Sequence, residues 1–282
     1  MKYFFDIIKL KKKIEVIDVG AAATAEIPVY KRLLDLEVAN LNAFEGDLRE
    51  SKKLKDIFGD NIKLYEQFLF DGSKQTLYLA APESGMTSLL KPNKSVLNFF
   101  NGFNKIGEVK KTEKVQTKKL DDIQELPLID FAKMDIQGAE LTVLKNGKKK
   151  LKDLLIVQLE VSHICLYENQ PSFGEIDLWM RSQGFVPHCF SKIKKWSIYP
   201  TIFNNDFRYP GNQLLESDIV YIKDPLKFNL LSNEQLKKII IILHYCLHSI
   251  DLTGFIFLEL EKRNVLPKNS YKQYITNLEK FK

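Results

Sequence analysis

Cysteine is scarce in this chain of 282 residues: there are three, Cys165, Cys189 and Cys246, far apart. An odd count without paired spacing argues against a disulfide framework and against the usual zinc sites. The three read instead as small buried hydrophobes in a reducing compartment. Long apolar runs are missing too. Ile239 to Leu243 is far too short to cross a bilayer. The N-terminus, MKYFFDIIKLKKK, carries Asp6 and Lys9 through its apolar part, so it lacks a signal peptide's clean core and cleavage site. A cytoplasmic protein without a transmembrane segment is expected. A basic stripe interleaved with aromatics is also lacking. The net charge is +6, yet lysine is scattered, and Lys9–Lys13 and Lys148–Lys150 are short runs. Nucleic acid is therefore not the expected partner. The G-x-G-x-x-G signature of dinucleotide binding is absent as well.

What is present is a core-forming composition, 45% hydrophobic, at a length that suits one α/β domain with an appendage. Ile14 to Asp18 alternates and stops at Gly20, a strand entering a tight turn. Pro28 opens a helical pattern through Leu33, Leu34 and Leu36. Val38 to Asp47 holds a second strand ending at Glu45, and Asp47 can cap the helix that ends at Gly59. Ile62 to Gly72 is a third strand, with Lys74 to Ala81 pairing as its hairpin partner. A Gly, Ser and Pro-rich loop follows, then a short helix near Val96 and a β-prone run ending at Asp121-Asp122, a pair suited to capping a turn.

Regular alternation then returns. Leu128 to Asp135 is a strand, Gly138 to Gly147 a short helix, and Leu154 to Val161 a nearly all-apolar buried strand. Phe173 to Gly184 is an amphipathic helix, Phe185 to Phe190 a strand, and Ser217 to Asp224 another. Beyond Pro225 the pattern becomes helical, with capping-box spacing at Ser232 and Gln235. Strands alternating with helices predict a parallel, doubly wound Rossmann-like sheet.

Strand ends are where such sheets bind ligands. Val16 to Thr24 lets backbone N–H groups face a ligand, and Glu45, one β-α-β unit later, can accept both hydroxyls of a ribose. Asp135 ends the fourth parallel strand beside the first and opens into the same crevice. The competing role is an N-cap, but a cap needs one polar residue and Gln137 and Glu140 accompany this one. Glu160 ends the fifth strand, with Ser162 and His163 after it. Asp18, Asp135 and Glu160 converge on one edge. An organic ligand suits them better than a metal, because no D-x-D or H-x-H pair supports one.

Several segments, in order, resemble the FkbM family of S-adenosylmethionine-dependent methyltransferases. VIDVGAA (Val16–Ala22), NAFEGD (Asn42–Asp47), FDGSKQTLYLA, SGMTSLLKPN and VQTKKLDDI match its early blocks. KMDIQGAELTVLKNG (Lys133–Gly147) is similar to the most diagnostic block, K-x-D-x-[EQ]-G-x-E-x-x-V-L-x-G. The block from Leu159 to Phe185 and the strand LLESDIVYIKDP follow. Thr24 departs from the family, which often has a glycine there. The resemblance covers about Ile14 to Pro225 and implies a seven-stranded class I methyltransferase sheet with an antiparallel last strand; residues 1–225 are read as that domain, and residues 226–282, outside the resemblance, as a C-terminal helical extension. It implies that Asp18, Gly20, Ala21 and Ala22 hold the cofactor's amino-acid end and Glu45 its ribose. Phe70 and Asp71 would then lie near the adenine, with Asp135, Gln137, Glu140 and Glu160 on the methyl-transfer side.

The expected reaction is O-methylation of a sugar, glycan or related natural product, with no metal. Asp135 is the favoured base, Glu160 and His163 an orienting pair, and Gln137 and Glu140 substrate contacts. A nucleotide-sugar or dinucleotide enzyme and a non-catalytic binding module are the rivals. The acceptor stays open, and so does a homo-oligomer.

Overall fold

The computed structural model describes residues 7–21, 27–58, 62–81, 84–209 and 211–279. In chain order the first elements are β1 (Ile14–Val19), α1 (Lys31–Asp35), β2 (Ala39–Phe44), α2 (Leu48–Phe58), β3 (Lys63–Tyr65), β4 (Phe68–Leu69) and β5 (Lys74–Leu79). Next come α3 (Lys94–Phe99), α4 (Phe103–Ile106), β6 (Lys111–Lys118), β7 (Phe131–Met134), α5 (Glu140–Lys145), β8 (Ile156–Ser162) and α6 (Phe173–Ser182). The last are β9 (Phe185–Lys195), β10 (Leu214–Lys223), α7 (Asn233–Ile242), α8 (Ile250–Lys262) and α9 (Ser270–Glu279).

Seven strands form the main sheet in the order β3-β2-β1-β7-β8-β10-β9. From β3 to β8 every neighbour is parallel; β10 is antiparallel to both β8 and β9. This is the doubly wound sheet with an inverted last strand that the resemblance implied. Its central strand β8 is buried at every residue, as its apolar run requires. Helix ends follow local chemistry. Ser172 with Glu175 and Ser232 with Gln235 form complete capping boxes on α6 and α7.

The third strand departs from expectation. It breaks after Tyr65, so β3 stays in the main sheet while β4 leaves for a second sheet of order β4-β6-β5. β5 is thus antiparallel to β6 and not to β4. Glu66 and Gln67 interrupt the apolar run at the break. β9 also runs well past Phe190, because Ile193 and Lys194 keep pairing with β10.

Each face of the sheet has its own core. Ile17, Val19, Ala132, Met134, Leu159 and Tyr221 pack with α5 and α6. Ile14, Val16, Phe131, Ile156, Val220 and Ile222 pack on the other face, against α1 and the buried Leu236, Ile239 to Leu243, Ile256, Phe257 and Leu260 of the C-terminal segment. The segment after Pro225 therefore covers a face of the sheet.

Candidate active site

The parallel strands end together, and their turns are tied by backbone. Gly20 and Ala21 donate to the Phe44 carbonyl at 3.0 and 3.2 Å, and Asp135 donates to the Val19 carbonyl at 3.0 Å. Gly20 has φ +79°, and a Cβ there would lie 2.0 Å from the Asp135 carbonyl oxygen. Only glycine allows β1 and β7 to turn this close together. Asp18 is buried below the turn; the Tyr30 hydroxyl donates to it, and the Lys133 ammonium lies 3.5 Å away. Ala22 and Thr24 lie outside the described residues.

Glu45 leaves β2 at the same edge. One carboxylate oxygen accepts the Asp47 N–H at 2.7 Å. Burial, against that hydrogen bond, pushes the Glu45 carboxyl up to about 7. Gly46 lets the Phe68 ring sit over the backbone, within 2.4 Å of where a Cβ would be. Next to it, the side-chain oxygen of Gln67 is buried without a hydrogen-bond partner. Sequence reasoning passed over Gln67; its signal was a polar residue just after the strand that flanks Glu45. Phe70 donates its N–H to Lys118, and Asp71 closes its own turn by accepting from Ser73. The Ser73 bond holds the Asp71 carboxyl below its usual range.

A nucleoside fits this edge. A ribose diol needs an acceptor carboxylate, which Glu45 is when ionised. An adenine amine is a donor, and Gln67 offers a buried acceptor that lacks one.

The loop after β7 is held from several sides. Gln137 has φ 55°, a left-handed conformation, and its side chain is a hub. Its amide nitrogen donates to Asp135 at 3.0 Å and to Glu160 at 2.8 Å, and its amide oxygen accepts the Tyr167 hydroxyl at 2.9 Å. The Ser88 hydroxyl donates to its backbone carbonyl at 2.8 Å. Asp135 and Glu160 thus face each other across Gln137, as the sequence placed them. Asp135 does not cap α5: the N-cap of that helix is Ala139, which makes no side-chain cap. Glu140 is turned inward. It is 2% exposed and accepts the N–H groups of Ile136 and Gly138. Its carboxylate holds the loop instead of facing a substrate, and burial raises it to about 7.

Glu160 and His163 do not pair. β8 ends at Ser162, and His163 sits in the bend beyond it. His163 lies 2.7 Å from the Ser217 hydroxyl and edge-on to Phe173. Burial lowers the imidazole's affinity for a proton. The partner of Glu160 is Lys194, at 3.0 Å, which also reaches Glu216 at 3.0 Å. Burial, with the charges of Asp135 and Glu216, holds the Glu160 carboxyl well above its ordinary range despite Lys194. Lys194 and Tyr167 were missed in the sequence, because nothing local marks them; Lys133 opens the K-x-D block but was given no role. Burial works against the Lys133 charge, but Asp18, Asp135 and Asp218 outweigh it and raise its affinity for a proton. Among the described residues no group of three or more His, Cys, Asp or Glu side chains is placed to hold a metal ion. No helix among them is long and apolar enough to cross a membrane.

Comparison with known proteins agrees with the order of these motifs. Residues 18–187 match the family described as the methyltransferase FkbM domain. A 2-O-methyltransferase, NoeI, of Sinorhizobium fredii (strain NBRC 101917 / NGR234) is 27% identical over 184 residues, 60% of this chain and 73% of that protein. Among solved structures, the precorrin-6y C5,15-methyltransferase of Geobacter metallireducens GS-15 matches at 12% identity, over 79% of this chain and 86% of that one, with a TM-score of 0.37. The magnesium protoporphyrin IX methyltransferase (ChlM) of Synechocystis PCC 6803, solved with bound SAM, matches at 10% identity, over 76% and 71%, also with a TM-score of 0.37.

Proposed function

This chain belongs to the FkbM methyltransferase family, and from that premise we propose that it methylates a hydroxyl group of a sugar, glycan or related natural product. The methyl donor is S-adenosylmethionine, whose sulfonium supplies an already activated methyl group. Glu45 accepts the ribose hydroxyls and Gln67 the adenine amine, while Asp18 and the Gly20–Ala21 turn lie under the amino-acid end. Gln137 and Tyr167 fix the side of the crevice where the acceptor enters.

The observation that carries the reading is the hub at Gln137. It holds the Asp135 carboxylate in one place at the strand end, between the cofactor edge and Glu160. A hydroxyl acceptor must be aligned and must lose a proton. Alignment can contribute on the order of 7–11 kcal/mol, and a base at hydrogen-bond reach roughly 10²–10⁴-fold. Glu160 tends to keep its own proton, so it suits donation and orientation. Asp135, held at the strand end by Gln137, is the group we assign as the proton acceptor. His163, bound to Ser217, supports the wall of the site. The name of the Sinorhizobium relative, a 2-O-methyltransferase, supports an oxygen acceptor.

The test is a methyl-transfer screen of sugar and lipid-linked hydroxyl acceptors with labelled cofactor, followed by Asp135→Asn on the best acceptor. We expect the variant to bind cofactor nearly as wild type, with turnover lower by about 10²-fold or more. Near-native turnover would make Asp135 architectural. Binding of NAD in preference to S-adenosylmethionine would overturn the reading as a whole.

A further inference from the structure

The connection from β9 to β10 leaves the catalytic edge of the sheet, since β10 begins where β8 ends, Glu216 opposite Ser162. It exposes an unusual run of apolar side chains. Tyr199 is 67% exposed, Ile202 62%, Phe203 54%, Phe207 42% and Tyr209 51%. Monomeric soluble proteins rarely gather so many large apolar side chains on one loop, and such patches mark interaction surfaces.

This is not a slack loop. The Asn101 side chain donates to the Ser197 hydroxyl and the Ile198 carbonyl, the Trp196 indole donates to the Asn101 carbonyl at 2.8 Å, and Ser197 donates to the Phe207 carbonyl at 2.6 Å. Tyr199 donates its N–H to Phe99 at 2.9 Å. The polar backbone is thus bonded inward onto α3 and α4, and the apolar side chains are left pointing out.

The chemistry of the patch is mixed in a particular way. Tyr, Trp and Phe stand with isoleucine, and with Arg208, which lies over the Trp196 and Phe207 rings at 5.6 and 5.4 Å. Lys195 is exposed at its base. Reading the sequence passed over this stretch: Lys195, Trp196, Phe207, Arg208 and Tyr209 all fall within fifteen consecutive residues, with Asp206 the one acidic group among them. Three occupants compete. A single nucleic-acid strand stacks on aromatic faces along a basic groove, but the exposed Ile198 and Ile202 offer no face to stack on. A second copy of this chain carries the same net charge of +6 and is repelled. An anionic lipid surface is attracted by that charge, takes isoleucine and phenylalanine into its acyl boundary, and holds tyrosine and arginine at the headgroups.

We propose that residues 198–209 dock this protein on an anionic lipid surface, which sets the mouth of the active site beside the headgroups. The docking is independent of the methyl-transfer reading, and it is tested without cofactor or acceptor. The full chain is sedimented with sucrose-loaded vesicles of phosphatidylcholine containing phosphatidylglycerol, and with phosphatidylcholine alone. We expect partitioning onto the anionic vesicles that weakens with salt. The double variant I202S/F203S should bind at least about ten-fold less, and Arg208→Glu should lose the preference for anionic lipid. Thermal melts and cofactor titration confirm that both variants fold. Equal sedimentation with both vesicle types, or unchanged binding by the folded double variant, would overturn the proposal. So would a concentration-dependent dimer in analytical ultracentrifugation that I202S/F203S abolishes, or RNA binding that competes vesicles off.

Discussion

Glu45 is the residue whose chemistry can be read most directly. Its carboxyl is raised from 4.5 to about 7 by burial, so the folded state holds a proton that the unfolded state has released. The sign follows from linkage. Stability from this group is full below about 4.5 and is lost as pH rises toward about 7. Glu140, raised to about 7 for the same reason, adds to that slope. With Glu45 on the ribose, as we propose, the diol needs the ionised form, and binding would expel the Glu45 proton at neutral pH. Cofactor affinity should therefore fall by about ten-fold between pH 8 and pH 6. Calorimetry in buffers of different ionisation enthalpy should show proton release near pH 7. Glu45→Gln should flatten the pH dependence, and Glu45→Ala should cost roughly 1–3 kcal/mol of binding. A pH-independent affinity in wild type would remove Glu45 from the ribose.

At the scale of an element, the turn after β1 depends on one glycine. Gly20 combines φ +79° with a Cβ position 2.0 Å from a backbone oxygen. A side chain there must strain the turn, at about 1–3 kcal/mol, and push β1 away from β7. Gly20→Ala is thus expected to lower the unfolding midpoint in urea and to abolish measurable cofactor binding together. If it lost stability while keeping its affinity, the turn would be scaffold and not part of the cofactor site. Gly20 was legible in the sequence because a glycine after an alternating strand has few other uses. The break between β3 and β4 was not, because a polar pair inside a strand-prone run such as KLYEQFLF does not say whether the strand ends there or runs on. Where the polar Glu66-Gln67 pair lets the chain leave one sheet for another is decided by which neighbour is there to pair with.

The whole molecule shows why the C-terminal segment cannot be trimmed freely. Leu236, Ile239 to Leu243, Ile256, Phe257 and Leu260 are fully buried against the sheet face carrying Ile14, Val16 and Phe131. Each such side chain is worth about 1.5–3 kcal/mol of burial, and together they exceed the roughly 5–15 kcal/mol by which domains are stable. We propose that residues 226–282, although they follow the last strand of the catalytic sheet, fold as part of the same unit. A chain ending at Pro225 is expected to lose its near-UV circular dichroism and its cooperative thermal transition. A truncated protein that melts cooperatively and binds cofactor would show that the core stands without them.

The sequence by itself determined the layers and the edge. The period of apolar residues set strand against helix, the glycine and the carboxylates at strand ends marked the candidate ligand edge, and the ordered motifs placed the chain among methyltransferases. These signals are local, each contained within about ten residues, so they survive without the fold. Tertiary structure alone decided which side chains meet. Gln137 joins Glu160 across 23 residues and Tyr167 across 30, and Lys194 reaches Glu160 across 34. Glu140 turns inward because its own loop presents N–H groups to it, and Gln67 is left with a buried oxygen because β4 departs beside it. Hydrogen bonds over such separations depend on strand order and register, and no spacing in the chain encodes either one.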